Sequence, residues 1–381
     1  MALVFNNEIS TTALLMAFNN NIVDFYSDST TLQTMYAEVK FGTITLTLYP
    51  NPSGSFYFNF SDFIKNVMNT NNMTDDLNID IQNDGYVYPW SNKVLLNTPI
   101  EYRIYLSDLT FVSQQRIYTW LSGVVQLEEY KRRYPLFLDK SKCIMLSPFV
   151  KGSNNKAYVK YWDGYPFDIS IFSNQTTTGD IEITNQTNLL DYLWNANGGV
   201  NRLAFSDGQT TETIETVLPL QYGLNKMKID AGYSIFYFDL VKEKNNCGVY
   251  LKWRNSFGGW NYWLFPKGFR NRSVKDIGEL ENDYRNVENT TSPTIQIGRR
   301  ALDTITVTTD VLTEDDMVLI ADMVESPKLY MFTGQPYSQN TFNDWLEVSL
   351  KTTDFRIENP KTDLNRFNFA FDLPLRNNIT L

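Results

Sequence analysis

The residue types that most often carry acid–base and metal chemistry are scarce in this sequence: its 381 residues include no histidine and only two cysteines. Without an imidazole, triad-type activation of a nucleophile, histidine general bases and histidine-ligated metal centres are all excluded. Carboxylate chemistry survives that exclusion. A pair of acids can serve as acid and base on a glycosidic bond, and Asp75-Asp76, Asp80, Asp84 and Glu128-Glu129 are the candidates. Adjacent acids in a polar loop are ordinarily just solvated, so no catalytic residue is assigned. The run Glu314-Asp315-Asp316 has the composition of a calcium or magnesium site. It follows Thr313 at the start of an amphipathic stretch, however, where Thr313 and Asp316 match a helix capping box and acids suit the positive helix end. No phosphate loop of the GxxxxGKS or GxxxxGKT type occurs, and Gly258-Gly259 reads as a tight turn. Cys143 and Cys247 are too few for a four-ligand zinc site and lie in no CxxC pattern; a disulfide between them stays an open alternative. The sequence therefore assigns no catalytic, cofactor-binding or metal-binding residue, and the expectation is a protein that is not an enzyme.

Rings, not acids, form the densest local feature. Tyr250-Leu251-Lys252-Trp253-Arg254-Asn255-Ser256-Phe257-Gly258-Gly259-Trp260-Asn261-Tyr262-Trp263-Leu264-Phe265 reads as a β-hairpin, one strand ending at Arg254 and the other returning from Trp260. Cross-strand aromatic pairs stabilise a sheet. Trp253, Phe257, Trp260, Tyr262, Trp263 and Phe265 are the candidate site residues, either packing in a core or at a subunit interface, or stacking on the pyranose rings of a glycan.

Composition bounds the partners. With 33 Lys+Arg against 43 Asp+Glu the net charge is −10, and the longest basic run is Lys131-Arg132-Arg133. A nucleic-acid binder displaces counterions with a positive face, so no specific nucleic-acid binding is expected, although an acidic wall would let DNA pass without sticking. The start of the chain lacks a signal-peptide pattern, and no stretch approaches the roughly 18 apolar residues that span a bilayer. The expected setting is a protein made and folded in a cytoplasm, without a membrane span.

Elements that would position these residues are mostly strands, as 25 Phe, 23 Tyr and 8 Trp favour. The expected fold class is mainly β: antiparallel sandwich- or barrel-like domains with a few short helices, in more than one domain. In residues 1–110, an N-terminal β domain, Ile44, Leu46 and Leu48 alternate with Thr45 and Thr47. Phe56, Phe58 and Phe60 share a face before the spacing turns helical through Phe63, Ile64, Val67 and Met68, with Ser61 as N-cap. Ile100, Tyr102, Ile104 and Leu106 mark another strand. Residues 111–225 are a middle β-rich domain or insertion, with strands near 156–162 and 167–172 about an Asp163-Gly164-Tyr165-Pro166 turn. A short helix is expected at 187–196, grouping Leu189, Leu190, Leu193 and Trp194. Residues 226–381 form a C-terminal β domain with the aromatic hairpin, strands at Tyr233–Val241 and Ala301–Thr309, a helix opened by Thr313 and two closing strands.

At the hairpin the chain resembles structural tail and baseplate proteins of phages and prophages of Bacteroidetes bacteria, which carry a similar YLKW-N-GGW-YW-F pattern. Leu312 to Tyr330 resembles their helix-then-strand element, the stretches Trp345–Val348 and Phe367–Phe371 resemble their closing strands, and Tyr49-Pro50 through Phe60 is reminiscent of them. The likeness covers the C-terminal part best, the N-terminal part weakly and the middle hardly at all. It implies a virion structural protein, in the tube-end, baseplate or connector region of a tail, assembled in the host cytoplasm. Such a subunit would form a homo-oligomer around the tail axis and dock other tail and virion proteins, without a cofactor. A carbohydrate-binding adhesin that recognises host surface glycan is the alternative, and a glycan-cleaving enzyme a weaker third.

Overall fold

The computed structural model describes residues 1–69, 72–126, 139–150, 153, 156–174, 179–208, 213–281, 292–337, 344–352 and 366–378. Glu128-Glu129 and Lys131-Arg132-Arg133 lie outside them.

Strands dominate. In the first third these are β1 (Leu3–Asn7), β2 (Leu14–Met16), β3 (Ile22–Ser27), β4 (Thr34–Phe41), β5 (Ile44–Leu48), β6 (Phe56–Asn59), β7 (Val87–Pro89), β8 (Leu95–Leu106) and β9 (Phe111–Leu121). Next come β10 (Ile144–Met145), β11 (Lys156–Trp162), β12 (Phe167–Ser173), β13 (Gly179–Asn185), β14 (Leu190–Ala196), β15 (Gly199–Ser206), β16 (Gly223–Asp230) and β17 (Ile235–Glu243). The last are β18 (Val249–Arg254), β19 (Trp260–Phe265), β20 (Lys267–Glu281), β21 (Thr294–Thr308), β22 (Leu329–Phe332), β23 (Trp345–Leu350) and β24 (Asn368–Asp372). The helices are α1 (Ser61–Met68), α2 (Ile81–Asp84), α3 (Ser91–Val94) and α4 (Glu314–Glu325).

These strands form five sheets, in the orders β1-β3-β6, β2-β9-β8-β4-β5, β10-β12-β15-β7, β11-β17-β16-β13-β14 and β19-β18-β22-β23-β24-β21-β20. All ladders are antiparallel except β2 with β9 and β11 with β17. The protein is mainly β, as expected. Phe25, Phe56, Phe60, Tyr102, Tyr118 and Trp120 pack the first two sheets together in one core, while the other three share a larger one.

Strand β2 divides the two cores. Leu14 and Met16 face the larger, whereas Ala13, Leu15 and Ala17 face the smaller, so a strand buried on both sides reads as an unbroken apolar run instead of an alternating one. The expected boundary at 110 falls in the turn between β8 and β9, which are paired from Leu95↔Leu121 to Tyr105↔Phe111. That at 225 falls inside β16, and the larger core joins Leu14, Ile171 and Phe371.

Two local readings are corrected. Ser61 is the first helical residue of α1 and not its N-cap; Phe60 holds that position without a side-chain bond, and the Asn59 side chain accepts the Ser61 N–H at 3.1 Å instead. Residues 187–196 form no helix. They make the turn and second strand of the β13–β14 hairpin, which buries Trp194 and Ala196 and exposes Leu193. Alternation at period two, with Leu189 at φ +60° in the turn, overrides the helical spacing of the leucines.

Candidate functional site

All six sequence-predicted rings are buried: Trp253 0%, Phe257 3%, Trp260 3%, Tyr262 2%, Trp263 4% and Phe265 0% exposed. The β18–β19 hairpin forms as expected, with Arg254 opposite Trp260, but other sheets cover both its faces. Trp162 meets Trp263 edge-on at 5.2 Å, and Phe167 meets Tyr262 at 5.4 Å. These rings build a core and offer no face on which a sugar could stack.

What the hairpin does enclose is charge. Arg202 on β15 is fully buried and grips Asp168 on β12 through Nε to Oδ1 at 3.0 Å and Nη2 to Oδ2 at 2.6 Å. Its Nη1 reaches Asp75 Oδ1 at 2.7 Å, and Lys252 Nζ takes Asp75 Oδ2 at 2.8 Å. Tyr262 donates its hydroxyl to Asp168 at 2.5 Å. The Lys252 ammonium lies 4.4 Å from the Trp345 ring centre and 5.3 Å from that of Trp260, while the Arg202 guanidinium sits 5.0 Å over Trp90. No ionic member has more than 2% of its side chain exposed.

Burial alone would raise Asp75, but the Arg202 and Lys252 charges outweigh it and hold the carboxylate well below its ordinary value. Burial pulls Lys252 below the usual lysine range although Asp75 opposes it. Burial, then Asp168, drives Tyr262 far upward, so its hydroxyl stays a donor. Two cations balance two carboxylates, and the cluster ties the segment around residue 75 to two sheets, the one holding β12 and β15 and the one holding β18 and β19. Its chemistry is that of a clamp.

The remaining sequence candidates are spoken for. Asp76 pairs with Lys93 at 2.8 Å on the surface, Asp80 caps α2 by accepting the Asn83 N–H, and Asp84 is exposed within that helix. Thr313 and Asp316 form the expected capping box, at 3.2 and 3.0 Å, and Asp316 also takes Lys160 and the Tyr158 hydroxyl, each at 2.8 Å. Among the described residues no cluster of acids and cysteines is arranged to hold a metal ion. Cys143 is buried and Cys247 exposed, each as a free thiol, so the disulfide alternative is overturned.

The feature that sequence reasoning missed is a ribbon. Among the described residues, strands β20 and β21, of 15 residues each, pair only with one another except where β24 joins β21 between Thr304 and Thr308. Fifteen residues reach about 50 Å. Val307 and Ile305 root the ribbon on the core, and Arg270, Arg272 and Arg376 converge on Asp303 at 2.7, 2.7 and 2.9 Å to brace its base. Beyond that root it stands in solvent with Val274, Ile277, Leu280 and Ile295 exposed, as Phe269 is at the root itself, and among the described residues β20 forms an open sheet edge. A strand with no buried face shows no apolar alternation, which is why only its rooted end, Ala301 to Thr309, was legible.

No protein-family model matches the chain, and no curated protein matches it in sequence. Among solved structures it is similar to fibronectin(III)-like modules of Clostridium thermocellum CbhA, at 8% identity and a TM-score of 0.20 over 64% of this chain and 94% of that one. It is similar also to a 1.5-MDa bacterial ice-binding adhesin, at 8% identity and a TM-score of 0.19 over 81% and 93%. A third is the Bacteroides ovatus mixed-linkage glucan utilization locus protein SGBP-B, at 7% identity and a TM-score of 0.18 over 97% and 72%. Likeness at this level says nothing about what the chain binds.

Proposed function

We propose that the chain is a structural subunit of a large assembly of the phage-tail kind, working by self-association and by docking neighbouring subunits. The observation that carries the reading is the β20–β21 ribbon. A two-stranded ribbon alone in water is marginal, exposed apolar side chains along it favour a partner, and an open strand edge is a template for one. The buried clamp and the rings of the hairpin support the same reading from the other side, because they supply a stiff body from which the ribbon projects. The acidic balance of the chain suits a wall past which DNA must move. Glycan stacking by Trp253, Phe257, Trp260, Tyr262, Trp263 and Phe265 finds no support, because these rings are buried.

Sedimentation velocity of the purified chain over a wide concentration range tests self-association; species larger than one chain, growing with concentration, are expected. A chain that stays monomeric throughout would defeat that part. Mass spectrometry of purified particles from the producing cells tests the virion part, and absence of the chain from such particles would overturn it.

A further inference from the structure

We infer that the partner of the ribbon is a second copy of this chain, gripped along the β13–β14 edge of its five-stranded sheet. The inference rests on the assembly reading above and names the two surfaces that meet.

Charge is what singles out the partner. The two ribbon strands carry six cations and four acids, a net +2, in a chain of net −10. Pairing register then places Lys275 directly opposite Arg300. Both are exposed, and neither has a carboxylate within ion-pair distance among the described residues. Like charges facing each other across a ladder destabilise it, so this pair is in place for an acid from outside. The same alternation puts Phe269, which is 57% exposed, on that face about 20 Å away.

The complement lies on the sheet that ends in β14. Glu182 on β13 stands directly opposite Asp230 on β16, again like charges, and its other neighbour is Leu193 on β14. Asp180 and Asp191 flank it along the hairpin, and Asp180, Glu182 and Asp191 have no cation within ion-pair distance among the described residues. Leu193 beside them on the same face is 57% exposed. An acidic edge of seven residues with an apolar side chain thus matches, in sign, character and length, the stretch of ribbon face from Phe269 to Lys275. Because the two surfaces differ, the contact is head-to-tail, and repetition closes a ring or extends a filament.

Mass photometry and sedimentation velocity on four full-length proteins test this: wild type, K275E/R300E, D180K/E182K/D191K, and the chain combining all five changes. Each single-surface variant is expected to associate at least tenfold more weakly than wild type, and the combined chain to recover much of the loss. Lys275, Arg300, Asp180 and Asp191 are exposed and Glu182 is partly so, and thermal melts matching wild type confirm that each variant folds. Undiminished association of both single-surface variants, with wild type oligomeric, would overturn the docking while leaving the assembly reading intact. A wild type that never associates would overturn both.

Discussion

Arg202 and Asp168 face each other from neighbouring strands with both oxygens of the carboxylate engaged, at 3.0 and 2.6 Å, and neither side chain is exposed at all. Breaking such a pair from one side leaves a buried charge without compensation, which costs roughly 3–5 kcal/mol, whereas replacing both partners by apolar groups is far milder. Arg202→Met should therefore lower the unfolding free energy by about that amount, read from urea denaturation. Adding Asp168→Leu to it should recover at least half of the loss, since Lys252 still holds Asp75. A single variant within 1 kcal/mol of wild type, on the order of a surface change, would mean that the clamp is not what joins these sheets.

The turn of the aromatic hairpin fixes a second expectation. A Cβ on Gly259 would lie 2.3 Å from the Leu146 carbonyl oxygen, and that oxygen is held in place by the Asn255 side-chain amide at 2.7 Å. The neighbour is backbone, so it cannot swing aside. Gly259→Ala should cost about 1–3 kcal/mol, the usual range for overpacking, in the same denaturation assay. Gly258→Ala should cost at least as much, because Gly258 has φ +82° and a Cβ there would meet the Ser122 carbonyl oxygen at 2.6 Å.

Much of the fold was legible because burial imprints a period on sequence. Ile100, Tyr102, Ile104 and Leu106 alternate since one face of β8 packs on the smaller core, and Thr313 with Asp316 announces α4 because capping is a local interaction. The clamp left a subtler trace: Asp168, Arg202 and Lys252 each put a charge in a buried strand of mostly apolar residues, and a charge in a buried strand needs a partner. No spacing rule says which partner, since Arg202 and Asp75 are far apart in the chain and meet only through the tertiary fold. Asp75 itself reads as one acid of a solvated pair, yet its companion Asp76 is the one that stays at the surface. Leu189, Leu190 and Leu193 mislead for the converse reason: apolar residues left exposed on an edge strand mimic a helical stripe.

The thiols give a direct chemical check. Cys247 is exposed, while Cys143 is buried and burial pushes its thiol up to about 12. Reaction follows the exposed thiolate. A disulfide-exchange reagent at neutral pH should titrate one equivalent in the native protein and two after denaturation, with Cys247 identified as the first by peptide mapping. Fewer than two equivalents in unfolded, unreduced protein would indicate a disulfide and contradict the structure.

Asp322 makes stability depend on pH in a direction opposite to that of the clamp. It lies on α4, partly buried, and its two oxygens accept the Ser256 N–H at 3.0 and 3.3 Å. Burial first, and the charge of Glu325 after it, raise the carboxyl to about 7 from an ordinary 3.8. A carboxyl with a higher value folded than unfolded binds its proton more tightly in the native state, so its stabilising contribution is complete below pH 3.8 and is lost as pH rises through about 7. Three units correspond to about 4 kcal/mol at most. Asp322→Asn removes the charge and keeps an oxygen for the Ser256 N–H. Thermal melts should therefore coincide near pH 4 and diverge by several degrees at pH 8, with the variant the more stable. Burial raises Glu215 and Asp315 as well, so the difference between the two curves, not the slope of either, isolates Asp322. Melting curves that run parallel across the whole interval would show that the carboxyl is ionised in the folded protein throughout.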